Sequence, residues 1–159
     1  MTSRKWAPWM FLFVSSYLMA DVAAGSVPAS IQTSTDQTNS SNADYITAEE
    51  LKAKLARNEP ITIIDVRETS SFVGSDNKIK GAIHLKVRRL QYRLSFPPLK
   101  DVSRDSEVVT YCACPNDESS IQAAQILLQS GFKRVRILKG GWRMWLKANG
   151  QLEQKPKGM

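Results

Sequence analysis

The chain has 159 residues, enough for one domain of ordinary size with extensions. Lysine and arginine outnumber aspartate and glutamate by 22 to 15, which gives a formal net charge of +7. The basic residues form no dense run with interleaved aromatic side chains, so the composition argues against a nucleic-acid-binding protein. Most of the charges are expected on the solvated surface.

Residues 1–24 have the pattern of a secretory signal peptide. Arg4 and Lys5 form a basic start, an apolar stretch runs from Trp6 to Ala20, and small residues allow cleavage after Ala24. The apolar stretch is short for a membrane span, which needs about 20 residues. We therefore expect export to a bacterial periplasm, with membrane attachment only if the segment stays uncleaved.

The next segment, residues 25–43, is rich in serine, threonine, asparagine and alanine and has no apolar period. This composition predicts a flexible linker. A folded domain is expected over residues 44–150, followed by a C-terminal tail at 151–159. The domain opens with a capping box from Thr47 to Glu50, which predicts a first helix.

Strands and helices are predicted to alternate through the folded domain. Apolar runs predict strands at residues 61–66, 82–85, 108–111 and 135–138, and helical periods predict helices near 47–57, 87–94, 119–130 and 140–149. Residues 72–81 are expected to form a loop. The alternation predicts an α/β fold with a parallel sheet and helices on both faces. Ligands bind such sheets at the carboxyl ends of the strands, where Asp65, Cys112 and Cys114 lie.

The most informative segment is 107–120. A predicted strand ends at Cys112 and Cys114, which are the only cysteines in the sequence. A short polar loop then leads into a helix, whose N–H groups and dipole stabilise a thiolate. The segment predicts a sulfur nucleophile. The alternatives are a labile disulfide, which an oxidising compartment favours, and a pair of inert buried side chains.

From about Tyr45 to Trp145 the chain resembles a single-domain rhodanese, a sulfurtransferase. The resemblance rests on four ordered segments, namely IDVRE at 64–68, IKGAIH at 79–84, VTYCAC at 109–114, and Gly131-Phe132 with LKGGW at 138–142. It implies a rhodanese-like fold around a five-stranded parallel sheet. It also implies a cysteine that takes a sulfane sulfur as a persulfide and passes it on.

The resemblance further implies the kinds of partner. The donor would be a small sulfur compound such as thiosulfate or a persulfide, and the acceptor a thiol or a cyanide-like nucleophile. A periplasmic protein partner is a further possibility. No cofactor and no metal site are expected.

Loop length favours Cys114 as the nucleophile, because counting back from Ala123-Ala124 gives it the usual loop of the family. Cys112 is the alternative, since Tyr111-Cys112 matches a Tyr-Cys pair common at the catalytic position. If Cys114 is the nucleophile, Cys112 is either embedded in the strand or a resolving thiol. The substrate-binding candidates in the loop are Asn116, Asp117, Glu118, Ser119 and Ser120.

This loop departs from the common pattern of the family. Pro115 removes one N–H donor, and Asp117 and Glu118 bring negative charge to the expected entrance of a thiosulfate anion. Efficient use of thiosulfate is therefore not expected, whereas a persulfide donor remains open. The loop also lacks the arginine that a cysteine phosphatase needs to hold phosphoryl oxygens.

Five further side chains complete the set of candidates. Asp65 is expected to give structural support. Arg67 is a substrate-binding candidate that either steers an anionic donor or pairs with a neighbouring carboxylate. His84, the only histidine, is expected neither as a base nor as a metal ligand. Trp142 and Trp145 are expected in the core.

Two other functions compete with sulfur transfer. One is a non-catalytic rhodanese-like module that binds a periplasmic partner. The other is a thiol–disulfide oxidoreductase that uses the Cys-x-Cys pair. Formation of a cysteine persulfide distinguishes the sulfurtransferase from both.

Overall fold

The structure is a computed structural model that describes residues 43–155. The expected signal peptide and nearly all of the expected linker lie outside the described residues. The elements in chain order are β1 (Asp44–Ile46), α1 (Ala48–Ala56), β2 (Ile61–Asp65), α2 (Thr69–Val73), β3 (Asn77–Ile79), β4 (Ile83–His84), α3 (Val87–Arg93), a 3-10 turn (Leu99–Asp101), β5 (Glu107–Tyr111), α4 (Glu118–Gln129), β6 (Arg134–Leu138), α5 (Gly141–Lys147) and β7 (Leu152–Gln154).

Five strands form the central sheet in the order β1-β6-β5-β2-β4, and every neighbouring pair is parallel. Strand β5 lies in the middle and all five of its residues are buried. Its last residue, Tyr111, is in register with Asp65 at the end of β2. The expected α/β class with a five-stranded parallel sheet is confirmed, and the ends of β2 and β5 meet at one edge.

Side chains of β5 alternate between the two faces of the sheet, as the period of a strand requires. Val108 packs in an apolar cluster with residues of α3 and α4, and Cys112, just past the strand, belongs to the same cluster. Val109 and Tyr111 pack in a second cluster with residues of α1 and α5. The helices therefore cover both faces, and the alternation turns Cys112 toward α4.

The predicted capping box at the start of α1 is present. Thr47 Oγ1 accepts a hydrogen bond from the Glu50 N–H at 3.1 Å, and Glu50 Oε2 accepts one from the Thr47 N–H at 2.8 Å. Two otherwise free backbone donors are satisfied in this way, which fixes where the helix begins.

Two boundaries differ from the sequence analysis. Residues 72–81, expected as a loop, contain the end of α2 and the strand β3. Residues after Gly150, expected as a tail, form β7, which pairs antiparallel with β3 and places Leu152 opposite Ile79. Strands of three residues are too short to show a period, and their partners are distant in sequence. None of the helices within residues 43–155 is long and apolar enough to cross a membrane.

Candidate active site

The two cysteines follow β5 at the carboxyl edge of the sheet and differ sharply in exposure. Cys112 is fully buried, whereas Cys114 is partly exposed, and both are free thiols. A large reagent can therefore reach Cys114 but not Cys112. The loop that carries them ends at α4, whose first residue is Glu118.

The sulfur atoms of the two cysteines lie next to each other. Cys114 Sγ is 2.6 Å from Cys112 Sγ, and the Cys114 N–H donates a hydrogen bond to Cys112 Sγ at 3.3 Å. On its other side, the Cys114 thiol donates to Ser119 Oγ at 3.3 Å. Cys114 therefore lies between the buried thiol below it and the first turn of α4.

Burial and, after it, the hydrogen bond with the Cys114 thiol raise the pKa of Cys112 to about 11. Removing a thiolate from water disfavours the charged form, which is the physical cause of the first effect. Cys112 is therefore a protonated thiol at neutral pH. A thiol is a poor nucleophile compared with a thiolate.

The start of α4 offers backbone donors to the loop. Its N-cap residue is Asp117, which has left-handed backbone angles (φ 59°, ψ 21°) and makes no capping hydrogen bond with its side chain. The N–H groups of a first helical turn lack partners within the helix, and an anion stabilises them. The negative charge of a thiolate or a persulfide beside this turn is therefore favoured.

Asp117 does not lie where the sequence analysis expected it. The residue is only 6% exposed, and its Oδ2 accepts a hydrogen bond from the Gly140 N–H at 2.9 Å. The carboxylate therefore ties the cysteine loop to the turn before α5, instead of lying at the entrance for an anionic donor. Only its exposed neighbour Glu118 brings negative charge to that entrance.

Glu118 and Asn116 form the exposed rim of the loop. Asn116 Nδ2 donates a hydrogen bond to Glu118 Oε1 at 3.1 Å. The Glu118 backbone N–H, followed by the Asn116 amide, holds the pKa of the Glu118 carboxyl below its usual range. The rim therefore carries a full negative charge at neutral pH. Ser120, in contrast, is buried, and its carbonyl accepts a hydrogen bond from Thr110 Oγ1 at 3.1 Å.

Arg67, a substrate-binding candidate, lies in a buried ion pair. It has no exposed surface, and its Nη2 lies 2.7 Å from Asp65 Oδ2. Of the two alternatives, the structure therefore shows the ion pair with the neighbouring carboxylate. Asp65, for which a supporting role is expected, also accepts a hydrogen bond from the Tyr111 hydroxyl at 2.7 Å.

The charge of Asp65 is stabilised although the residue is buried. Burial alone would raise the pKa of the Asp65 carboxyl, but hydrogen bonds from His84, Arg67 and Tyr111 together hold it below its usual range. His84 belongs to this structural group, because its ring stacks on Phe72 at 3.6 Å between centroids.

Trp142 links this buried ion pair to the cysteine loop. The Arg67 guanidinium lies 4.2 Å from the centroid of the Trp142 ring. The backbone N–H of Trp142 donates a hydrogen bond to the Cys112 carbonyl at 2.8 Å. Trp145 is in the core as expected, whereas Trp142 is only partly buried. The contact between Trp142 and the loop was missed by sequence reasoning, since no local pattern reports it.

Gly141 permits this close approach of α5 to the loop. It has a positive φ of 48°, and a Cβ atom there would lie 2.1 Å from the Cys112 carbonyl oxygen. No side chain fits at that distance. The second glycine of the LKGGW segment, Gly141, thus has a steric role in holding Cys112 in place.

A cavity of about 380 Å³ adjoins the cysteine loop. Pro115 and Asp117 of the loop line one side, and the basic residues Lys139 and Arg143 line another. The sequence analysis did not single out either basic residue. Their charge opposes that of Glu118, so the surroundings of the loop are not uniformly repulsive to an anion.

A parallel sheet covered by helices on both faces, with a cysteine loop between a central strand and a helix at its carboxyl edge, defines a class of α/β proteins. Within that class, the family model described as the rhodanese-like domain matches residues 47–148. The chain belongs to the rhodanese-like domain family.

Relatives with assigned names agree with this placement. A sulfurtransferase of Allochromatium vinosum is 30% identical over 100 residues, covering 63% of this chain and 85% of the relative. The thiosulfate sulfurtransferase GlpE of Coxiella burnetii is 32% identical over 92 residues, covering 58% of this chain and 78% of the relative. The crystal structure of the Alr3790 protein from Anabaena sp. is similar with a TM-score of 0.58 and 32% identity, covering 69% and 82% of the two chains.

Proposed function

We propose that this domain transfers a sulfane sulfur from a small donor to a thiophilic acceptor through a persulfide on Cys114. The observation that carries the proposal is the position of Cys114. It is the partly exposed thiol of the loop, next to the uncapped first turn of α4. The other cysteine is buried and protonated at neutral pH.

The chemistry has two steps. The Cys114 thiolate attacks the outer sulfur of the donor, the sulfur–sulfur bond of the donor breaks, and the donor leaves as sulfite or as a thiol. An acceptor thiolate then attacks the terminal sulfur of the Cys114 persulfide and restores the thiolate. In both states the reacting sulfur carries negative charge, which the dipole at the start of α4 favours.

The charges around the loop favour a persulfide over thiosulfate as donor. Glu118 is exposed and ionised at the rim, and it repels a dianion more strongly than a singly charged or neutral donor. Pro115 removes one backbone donor that would otherwise bind sulfonate oxygens. Lys139 and Arg143 beside the neighbouring cavity are suited to attract the carboxylate groups of a low-molecular-weight thiol.

Substitution of each cysteine in turn tests the proposal. We expect Cys114→Ser to abolish sulfur transfer and Cys112→Ser to retain a measurable fraction, with transfer measured from thiosulfate and, separately, from a persulfide. Intact mass should show that the Cys112→Ser chain gains one sulfur atom and that the Cys114→Ser chain gains none. The opposite pattern in two folded variants would assign the nucleophile to Cys112.

The same measurement separates an enzyme from a binding module. If the folded wild-type chain takes up no sulfur from either donor, transfers none and forms no disulfide, the domain is a non-catalytic member of its family. Circular dichroism and thermal melting of each preparation establish that it is folded.

A further inference from the structure

The buried thiol of Cys112 has no part in the two-step transfer, yet it touches the reacting sulfur. Its Sγ is 2.6 Å from Cys114 Sγ, and it has no exposed surface. Cys114 Sγ becomes the inner sulfur of the persulfide. Cys112 therefore already contacts the atom that a second thiol must attack to resolve that persulfide.

We propose that Cys112 resolves the Cys114 persulfide and releases its sulfur as sulfide, which gives the domain a sulfide-releasing activity that needs no external acceptor. The inference rests on the proposed persulfide at Cys114. It adds an internal route that competes with transfer to an acceptor.

The step balances without an added oxidant. The anionic terminal sulfur of the persulfide first takes the proton of the Cys112 thiol. The Cys112 thiolate formed in this way attacks Cys114 Sγ, a bond forms between these two atoms, and the bond to the terminal sulfur breaks, so that this sulfur leaves as hydrosulfide. The sulfane sulfur is reduced, while the two cysteine sulfurs are oxidised to a disulfide. A dithiol reductant then restores both thiols by thiol–disulfide exchange.

The surroundings of the two sulfurs suit this step. The Cys114 N–H donates to Cys112 Sγ at 3.3 Å, which holds the attacking atom against its target. Trp142 and Gly141 fix the Cys112 backbone from the other side. Attack within a preset pair avoids the entropic cost of bringing two molecules together. Burial keeps Cys112 from reacting with bulky donors, so it acts only on sulfur already bound to its neighbour.

A single-turnover experiment on the reduced full chain tests the inference. The chain is loaded with thiosulfate or a small persulfide, desalted at once, and incubated without thiol or reductant. Sulfide is measured in the solution, and intact mass is followed with time. For wild type we expect one equivalent of sulfide and a chain lighter than its reduced form by two hydrogens. For Cys112→Ser we expect the extra sulfur to persist at least about tenfold longer.

The controls separate this inference from the proposed function. Cys112→Ala replaces the serine variant if a buried hydroxyl impairs folding, and dithiothreitol added after the reaction should restore the reduced mass of wild type. If wild type keeps its extra sulfur as long as the Cys112 variants and releases no sulfide, the inference is wrong while the persulfide stands. If neither wild type nor the Cys112 variants take up sulfur or form a disulfide, both proposals fail together.

Discussion

At the scale of single residues, Cys112 and Cys114 differ in exposure and reactivity because their surroundings differ. The alternation of β5 turns Cys112 into the cluster under α4, where burial raises the pKa of its thiol to about 11. Cys114 lies two residues further on, where the strand has ended and the chain reaches the surface. Cys114 therefore has the access to donor and acceptor that transfer requires, whereas Cys112 contacts only other atoms of the protein.

This contrast predicts selective alkylation. At neutral pH, iodoacetamide should modify Cys114 at least about tenfold faster than Cys112, because only the thiolate reacts and Cys112 is both buried and protonated. Labelling of Cys112 should increase as the pH approaches 11. Peptide mapping by mass spectrometry after timed quenching measures both rates. Equal labelling of both cysteines in the folded protein contradicts the assigned burial, and labelling in denaturant serves as the reference.

At the scale of elements, the site is a junction of three backbone segments. The cysteine loop, the start of α4 and the turn before α5 are joined by the bond from the Gly140 N–H to Asp117 and by that from the Trp142 N–H to the Cys112 carbonyl. The loop is therefore held at both ends. The negative charge that an approaching donor meets at the loop is that of Glu118, which is exposed on the rim.

The first prediction at this scale concerns Glu118. Glu118→Gln should raise kcat/KM for thiosulfate by roughly two- to tenfold, since it removes a negative charge from the entrance for a dianion. Steady-state rates at several salt concentrations measure the effect, which should shrink as salt screens the charge. Asp101→Asn, which removes an exposed charge from the 3-10 turn outside the loop, is the matched control. Equal gains in both variants would indicate a general effect of net charge.

The second prediction at this scale concerns Gly141. Gly141→Ala should destabilise the fold well beyond the 1–2 kcal/mol or so that a positive φ costs a residue with a side chain, because its Cβ would clash with the Cys112 carbonyl oxygen. Gly131→Ala is the control that measures the cost of the positive φ alone. Gly131 has a φ of 88°, and no atom lies within 4 Å of a Cβ placed there. Denaturant unfolding compares the two variants. Equal losses of stability would mean that α5 moves aside without cost.

At the scale of the whole molecule, the parts that sequence could predict are those with a local signal. Strand β5 carries a continuous apolar run and helix α4 a helical period, and the order of the motifs indicated the family and the fold. The short strands β3 and β7 carry no period and depend on a partner far along the chain. For the site, loop length singled out Cys114, and the pairing of Arg67 with Asp65 was one of two alternatives that the sequence left open. The hydrogen bond of Asp117 with Gly140 joins residues distant in the chain, so no local pattern indicated it.

The last prediction concerns the destination of the whole chain. We propose that residues 1–24 direct export and are removed, so that the mature protein begins near Gly25 in the periplasm. Expression of the full chain in a bacterium, osmotic release of the periplasm and N-terminal sequencing test this directly. Replacing Ala24 with a bulky residue should block cleavage, because the position before the cut accepts only small side chains. Recovery of the wild-type chain in the membrane fraction with Met1 or Thr2 at its N-terminus would show that the segment is an uncleaved anchor. The folded domain would then act at a membrane surface, and its donor and acceptor would have to reach it there.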